Sequence, residues 1–280
     1  MPIIHAIALA ITQGLTEFFP VSSSGHLSLL PWFFGWDDFA NSPHLNKAFD
    51  VALHLGTLVG AISYFWNDLV RYAKAGLALI FNREQRSNPT TDARVAWFLV
   101  ASSVPGALTG LFLSDVLEAW EDKFWLIGVL LIVFGLILGW ADSLVGTRKT
   151  EGFTLRDALL MGLGQAFALQ PGVSRSGATM TVARVLGFER DTAARISFLM
   201  AIPIIAGAGL YSAVSVFSEG GIPADFRAPF AVGMATAAIT GWLAVWATLR
   251  VVRNHGFGIF VAYRVVLGVV VIAVAASPWR

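Results

Sequence analysis

Gln13 and Glu17 stand four residues apart in an apolar run, so a helix there carries both on one face. The segment PVSSSGH, Pro20–His26, follows and adds Ser22, Ser23, Ser24, Gly25 and His26. A second segment, PGVSRSGAT at Pro171–Thr179, supplies Ser174, Arg175, Ser176, Gly177 and Thr179, with a helix opening near Gly177. Together these give a carboxylate, an amide, hydroxyls, an imidazole, a guanidinium and a helix N terminus. Amides at a helix N terminus, hydroxyls and arginine are the usual means of holding phosphate oxygens. Arg175 is expected to grip a phosphate in bidentate fashion, as a lysine cannot. Glu17 with Gln13 suits a divalent cation shared with a pyrophosphate, since magnesium is commonly held by one or two carboxylates plus substrate oxygens. The expected nucleophile is Ser23, with His26 or Glu17 as base, ahead of direct attack by His26. Ser22, Ser24, Gly25, Ser174, Ser176, Gly177 and Thr179 are expected to bind the phosphates.

The surroundings of these residues are lipid-like. Hydrophobic side chains make up 56% of the 280 residues and charged ones 13%, against roughly 25% charged in soluble domains. Mean hydropathy is +0.69. The runs are too long for a barrel's alternation, so an all-α integral membrane protein is expected. A net charge of +1 gives no reason to expect a nucleic-acid partner, and the absence of cysteine excludes disulfides and thiolate chemistry. No basic region precedes a small-residue cleavage site at the N terminus, so no removable signal peptide is expected.

Apolar segments long enough to span are expected at Phe49–Trp66, Val95–Leu113, Phe124–Trp140, Ile196–Phe217, Phe230–Leu249 and Phe257–Ala276. The segments flanking the two serine knots, Ile3–Thr16 with Leu27–Trp36 and Leu155–Leu169 with Met180–Leu186, are shorter. Each pair is expected to form a re-entrant hairpin with the knot at its tip, because irregular backbone survives at membrane depth only inside protein or beside a wet cavity. The order then repeats: residues 1–150 hold one hairpin and three spans, and residues 151–280 hold another set. VSSSG at Val21–Gly25 matches VSRSG at Val173–Gly177, and Gln13 and Gln165 each lie eight residues before the valine. Three spans per half invert the second half relative to the first, giving six spans, two hairpins and a site where the tips meet. The basic stretch 67–94 is expected to be cytoplasmic, with Leu69–Phe81 as an interfacial helix. Gly220–Arg227 is expected to be a loop. The competing class is a transporter or lipid-phosphate flippase, which uses the same architecture.

Other polar residues are weaker candidates. His5, His44 and His255 are expected at the membrane interface. Asp50 and His54, one turn apart, are secondary candidates for the cavity. Arg184, Arg190 and Arg195 are expected at the membrane-water boundary.

QGLTEFFPVSSSGHL at Gln13–Leu27 and PGVSRSGAT at Pro171–Thr179 resemble the two signatures of the bacterial undecaprenyl pyrophosphate phosphatases of the bacitracin-resistance type. FLMAIP at Phe198–Pro203 and YR at Tyr263–Arg264 extend the resemblance along the chain. It implies hydrolysis of a C55 isoprenyl pyrophosphate to the monophosphate carrier lipid used in cell-wall synthesis, in a multi-pass protein of the bacterial cytoplasmic (inner) membrane. The site would open to the periplasm or exterior and use magnesium or calcium, and a homo-oligomer is compatible with it. The family pattern carries Glu or Gln, three residues, then Glu. Gln13 is the uncharged choice here, leaving Glu17 as the one carboxylate of the motif.

Overall fold

In the computed structural model, residues 1–39, 42–118, 120, 123–218 and 221–277 are described, and they form a helical protein. Two short helices come first: α1 (Ile3–Phe18) and α2 (Ser23–Phe34). The chain continues through α3 (Pro43–Tyr64), α4 (Trp66–Phe81), α5 (Arg83–Ser87), α6 (Thr91–Ala101), α7 (Ser103–Glu118) and α8 (Phe124–Asp142). A second short pair follows, α9 (Leu155–Phe167) and α10 (Arg175–Val185), then α11 (Arg190–Ser218), α12 (Ala224–His255) and α13 (Gly258–Ala275).

Five stretches are long and apolar enough to cross a bilayer: Thr91–Leu113, α8, α11 up to Val216, α12 and α13. Helices α3 and α4 qualify as a sixth only together, and they meet at an angle of 84°. The chain is therefore a multi-pass helical membrane protein. The bend lies at Phe65, just inside the expected span Phe49–Trp66, which does not qualify alone, and the expected interfacial helix Leu69–Phe81 lies within α4. The expected span Val95–Leu113 lies within Thr91–Leu113, whose helix is interrupted for one residue at Ser102. Pro105 explains the break, because it lacks an amide hydrogen and crowds the carbonyl four residues earlier, that of Ala101. The loop expected at Gly220–Arg227 is shorter, since α12 already begins at Ala224; Gly220 lies outside the described residues.

Both short pairs are built alike. Helix α1 stops at Phe18 because Phe19 precedes Pro20 and takes an extended conformation, φ −62° and ψ 136°. Helix α9 opens on a capping box between Thr154 and Asp157 and ends at Phe167. Beyond each helix the chain turns through a serine with positive φ, Ser22 at 77° and Ser174 at 74°. Positive φ costs a non-glycine residue of the order of 1–3 kcal/mol. Each serine offsets part of that cost as a helix cap: Ser22 Oγ accepts from the amide of Gly25 at 3.4 Å, and Ser174 Oγ from that of Gly177 at 3.1 Å.

Helices α1 and α3 pack closely on α12. A Cβ added at Gly14, Gly56 or Gly60 would collide with Thr240, Met234 or Ala238 of that helix, which is how helices without large side chains associate in a bilayer. Helix α8 pairs with α13, and α9 with α7 and α10. The two serine tips end up between these layers.

Candidate active site

The two tips touch. Ser22 Oγ accepts a hydrogen bond from the amide of Gly172 at 2.9 Å, and Ser176 Oγ donates to the carbonyl of Phe19 at 3.0 Å. Gly172 sits at φ 96°, and a Cβ there would lie 2.8 Å from the Ile127 carbonyl oxygen, so only glycine fits this approach.

Glu17 is the centre of the cluster. It is only 4% exposed, and Arg175, Ser23, Gln13 and His54 surround it with donors. Oε1 receives Nη2 of Arg175 across 158 residues of sequence. Oε2 accepts from Ser23 Oγ at 2.6 Å and from Gln13 Nε2 at 3.0 Å, and His54 Nε2 lies 3.7 Å away. One carboxylate thus holds the first-knot serine and the second-knot arginine on its two oxygens. Ser23 and Arg175 are each the first residue of a helix, α2 and α10, whose opening amides have no partner within the helix. A hydroxyl held by a carboxylate, beside an arginine and two helix N termini, can attack phosphorus and have its proton accepted.

His26, expected with Glu17 as one of two candidate bases for Ser23, turns its ring nitrogens elsewhere. Its Nδ1 lies 2.7 Å from the carbonyl oxygen of Ser22, which requires a hydrogen on Nδ1, and its Nε2 lies 2.8 Å from the Tyr263 hydroxyl. The rings of His26 and Tyr263 lie 10° from parallel with centroids 5.7 Å apart. Both ring nitrogens are engaged away from Ser23, whose hydroxyl donates to Glu17 instead.

The remaining expected residues divide. Ser24 is partly exposed, and Gly25 is buried behind it at the first turn of α2. The hydroxyls of Ser22 and Ser174 serve as caps, and Ser174 and Ser176 lie 3.3 Å apart. The amide of Gly177 is taken by the Ser174 cap. Thr179 is buried, its hydroxyl bonded to the Arg175 and Ser176 carbonyls and at 2.5 Å to Ser197, so it braces α10 on α11. Arg184, expected at the membrane-water boundary, is 3% exposed and bonded to the carbonyls of Phe188, Leu144 and Asp142 at the ends of helices. Arg190 pairs with Asp142, and Arg195 with Asp68. His5 lies against Asp38 at 2.8 Å and stacks on Trp36.

The sequence reading gave His54 only secondary weight and gave Tyr263 and Arg264 no site role of their own. Arg264 is the largest fully buried side chain among the described residues. The available signal was its charge within an apolar helix, α13, a position that lipid-facing side chains avoid.

Among the described residues no three His, Cys, Asp or Glu side chains cluster as a metal cage. The Gln13 Oε1 oxygen is buried without a hydrogen-bond partner, while Nε2 of the same amide donates to Glu17. One carboxylate and one free amide oxygen fit a hard cation that completes its shell with substrate oxygens.

Known proteins supply the remaining observation. Residues 6–270 match the family model described as bacitracin resistance protein BacA. The chain belongs to the BacA family. The undecaprenyl-diphosphatase of Desulforudis audaxviator is 46% identical over 272 residues, covering 97% of each chain. That of Geobacter sulfurreducens is 45% identical over 278 residues, covering 98% of each, and that of Pelotomaculum thermopropionicum 41% over 278 residues, covering 99% and 98%. Membership of the BacA family thus covers both serine tips and the helices that hold them.

Proposed function

We propose that this BacA-family chain hydrolyses undecaprenyl diphosphate to undecaprenyl phosphate and inorganic phosphate within the membrane. The reaction recycles the carrier lipid of cell-wall synthesis and so confers bacitracin resistance. The observation that carries the reading is the contact of Glu17 with both Ser23 and Arg175, in a chain whose near full-length relatives bear the diphosphatase name. No observation favours the flippase alternative.

Ser23 is the nucleophile and Glu17 its base. Arg175 neutralises Glu17 in the resting site. An arriving pyrophosphate competes for that guanidinium and draws it onto phosphoryl oxygens, which releases Glu17 Oε1 and makes the carboxylate a stronger acceptor. Ser23 Oγ then bonds to the terminal phosphorus, its proton passes to Glu17, and the lipid monophosphate leaves. Glu17 passes that proton to the departing lipid monophosphate, then accepts one from the water that attacks the phosphoserine and returns it to Ser23 Oγ as inorganic phosphate leaves. The N termini of α2 and α10 favour the charge on the phosphoryl group throughout. Ser24 and the amide at Ser176 line the approach, while the Gly25 amide is held by the Ser22 cap. Ser22, Ser174, Gly177 and Thr179 hold the tips rather than the phosphate. His26, braced by Tyr263, stands at the first turn of α2 where it can contact the departing lipid phosphate.

Glu17 and the Gln13 amide oxygen are the residues that would hold magnesium or calcium. The cation would offset negative charge on the pyrophosphate.

For the membrane arrangement, α1 with α2 and α9 with α10 form re-entrant hairpins in two inverted halves, residues 1–150 and 151–280. Their matching serine caps support this. Residues 67–94 then face the cytoplasm and the site opens to the exterior of a bacterial inner membrane. A site at membrane depth leaves the polyprenyl tail in lipid, whereas a soluble enzyme would expose it at about 0.8 kcal/mol per methylene.

The test is phosphate release from a C55 or C15 diphosphate by the purified, detergent-solubilised chain. We expect multiple turnovers that a chelator stops and magnesium or calcium restores. Absence of release with both cations present would reject hydrolysis, since transport has no meaning in a micelle.

A further inference from the structure

We infer that Arg264 is the positioning residue of this site, a buried fork that ties the two loop tips into one rigid unit. Its side chain is 0% exposed. Nη1 donates to the Pro20 carbonyl at 3.1 Å, three residues before Ser23. Nη2 donates to the carbonyls of Gly172 at 2.9 Å and Val173 at 3.0 Å, three and two residues before Arg175. Nε donates to the Leu131 carbonyl at 3.1 Å and so ties the fork to α8. The acceptors are all backbone carbonyls, and among the described residues no carboxylate pairs with this guanidinium.

A buried cation with no counter-ion is expensive, and apolar packing between α8 and α13 would be cheaper. What the arginine adds is geometry. Its planar donors reach both tips at once, which a lysine ammonium on a flexible stem cannot do. The two tips leave their short helices by irregular backbone, each with a serine at positive φ. Among the described residues, two cross-tip hydrogen bonds through side chains join them besides the Glu17–Arg175 pair. That pair must open when pyrophosphate takes Arg175, so a fixed link is needed that substrate does not displace. Arg264 is that link, and Gly177 is kept small beside it, since a Cβ there would lie 2.8 Å from Arg264 Nη1.

This inference rests on Ser23 and Arg175 being the reacting pair, which Ser23→Ala and Arg175→Ala test by themselves. If both keep normal turnover, that assignment fails whatever Arg264 does. For Arg264 the variant is Arg264→Lys, with Arg184→Lys as the comparison, because Arg184 is also buried and bonded to backbone carbonyls but touches neither tip. Steady-state kinetics are measured on the monodisperse folded fraction. A displacement of the order of 1 Å between reacting groups costs about 10²-fold, so Arg264→Lys should lose about 10²-fold in kcat with KM nearly unchanged, and Arg184→Lys far less. Should Arg264→Lys not fold, Gly135→Ala serves: its Cβ would lie 3.1 Å from Arg264 Cβ and 3.4 Å from Nε, pressing on the stem from α8. It should lower kcat about tenfold at unchanged KM. Near-normal kcat in Arg264→Lys, an equal loss in Arg184→Lys, or an unaltered Gly135→Ala where that variant is needed would overturn the inference.

Discussion

Arg175→Lys is expected to lose turnover nearly as fully as Arg175→Ala, each by about 10²–10³-fold, the usual cost of one preorganised contact to a charged transition state. The guanidinium has two tasks that a lysine performs poorly. In the resting site it holds one oxygen of Glu17 while that carboxylate's other oxygen holds Ser23. With substrate bound it must present two parallel donors to phosphoryl oxygens. An ammonium keeps the charge and loses the fork. Near-normal kcat in the lysine variant, measured by phosphate release at saturating substrate, would show that charge alone suffices.

Glu17→Gln is expected to be at least as damaging, because it keeps the size of the side chain and removes the base. General-base catalysis contributes about 10²–10⁴-fold, so a loss in that range is expected, and the residual rate should respond less to added magnesium. The substitution also strips the charge partner from Arg175 while leaving Gln13, Ser23 and His54 in place around an amide. Circular dichroism and thermal melting of the purified variant separate the chemical loss from a folding defect. An active Glu17→Gln protein would remove the carboxylate from the reaction.

The tips were legible in the sequence because ionisable and hydroxylated residues are rare in apolar runs, and two matched clusters of them point to one cavity. Gln13, Glu17, Ser23 and Arg175 do converge. The tasks of individual hydroxyls were not legible. Thr179 and Ser23 look equally suitable as letters, yet one faces Ser197 in the core and the other Glu17. Ser22 and Ser174 take positive φ and act as caps, a backbone fact that residue type does not reveal. Arg264 entered the sequence reading only through the YR resemblance, because its acceptors are main-chain carbonyls, which leave no mark in a sequence. Among the helices, the break at Ser102 was readable from Pro105 in principle, but an unbroken apolar count masked it. The bend between α3 and α4 was legible, since charge begins where apolar residues stop.

The central claim is that Ser23, held by Glu17, attacks the terminal phosphorus. Its most direct test is rapid quenching of the enzyme with substrate labelled in that phosphate, in acid and in base separately. A phosphoserine survives acid, whereas a phosphohistidine survives base and not acid. Label retained in acid, mapped to Ser23 and missing from Ser23→Ala, is the predicted result. Label retained only in base would assign the attack to His26, and label in neither quench would assign it to water, and either result contradicts the account.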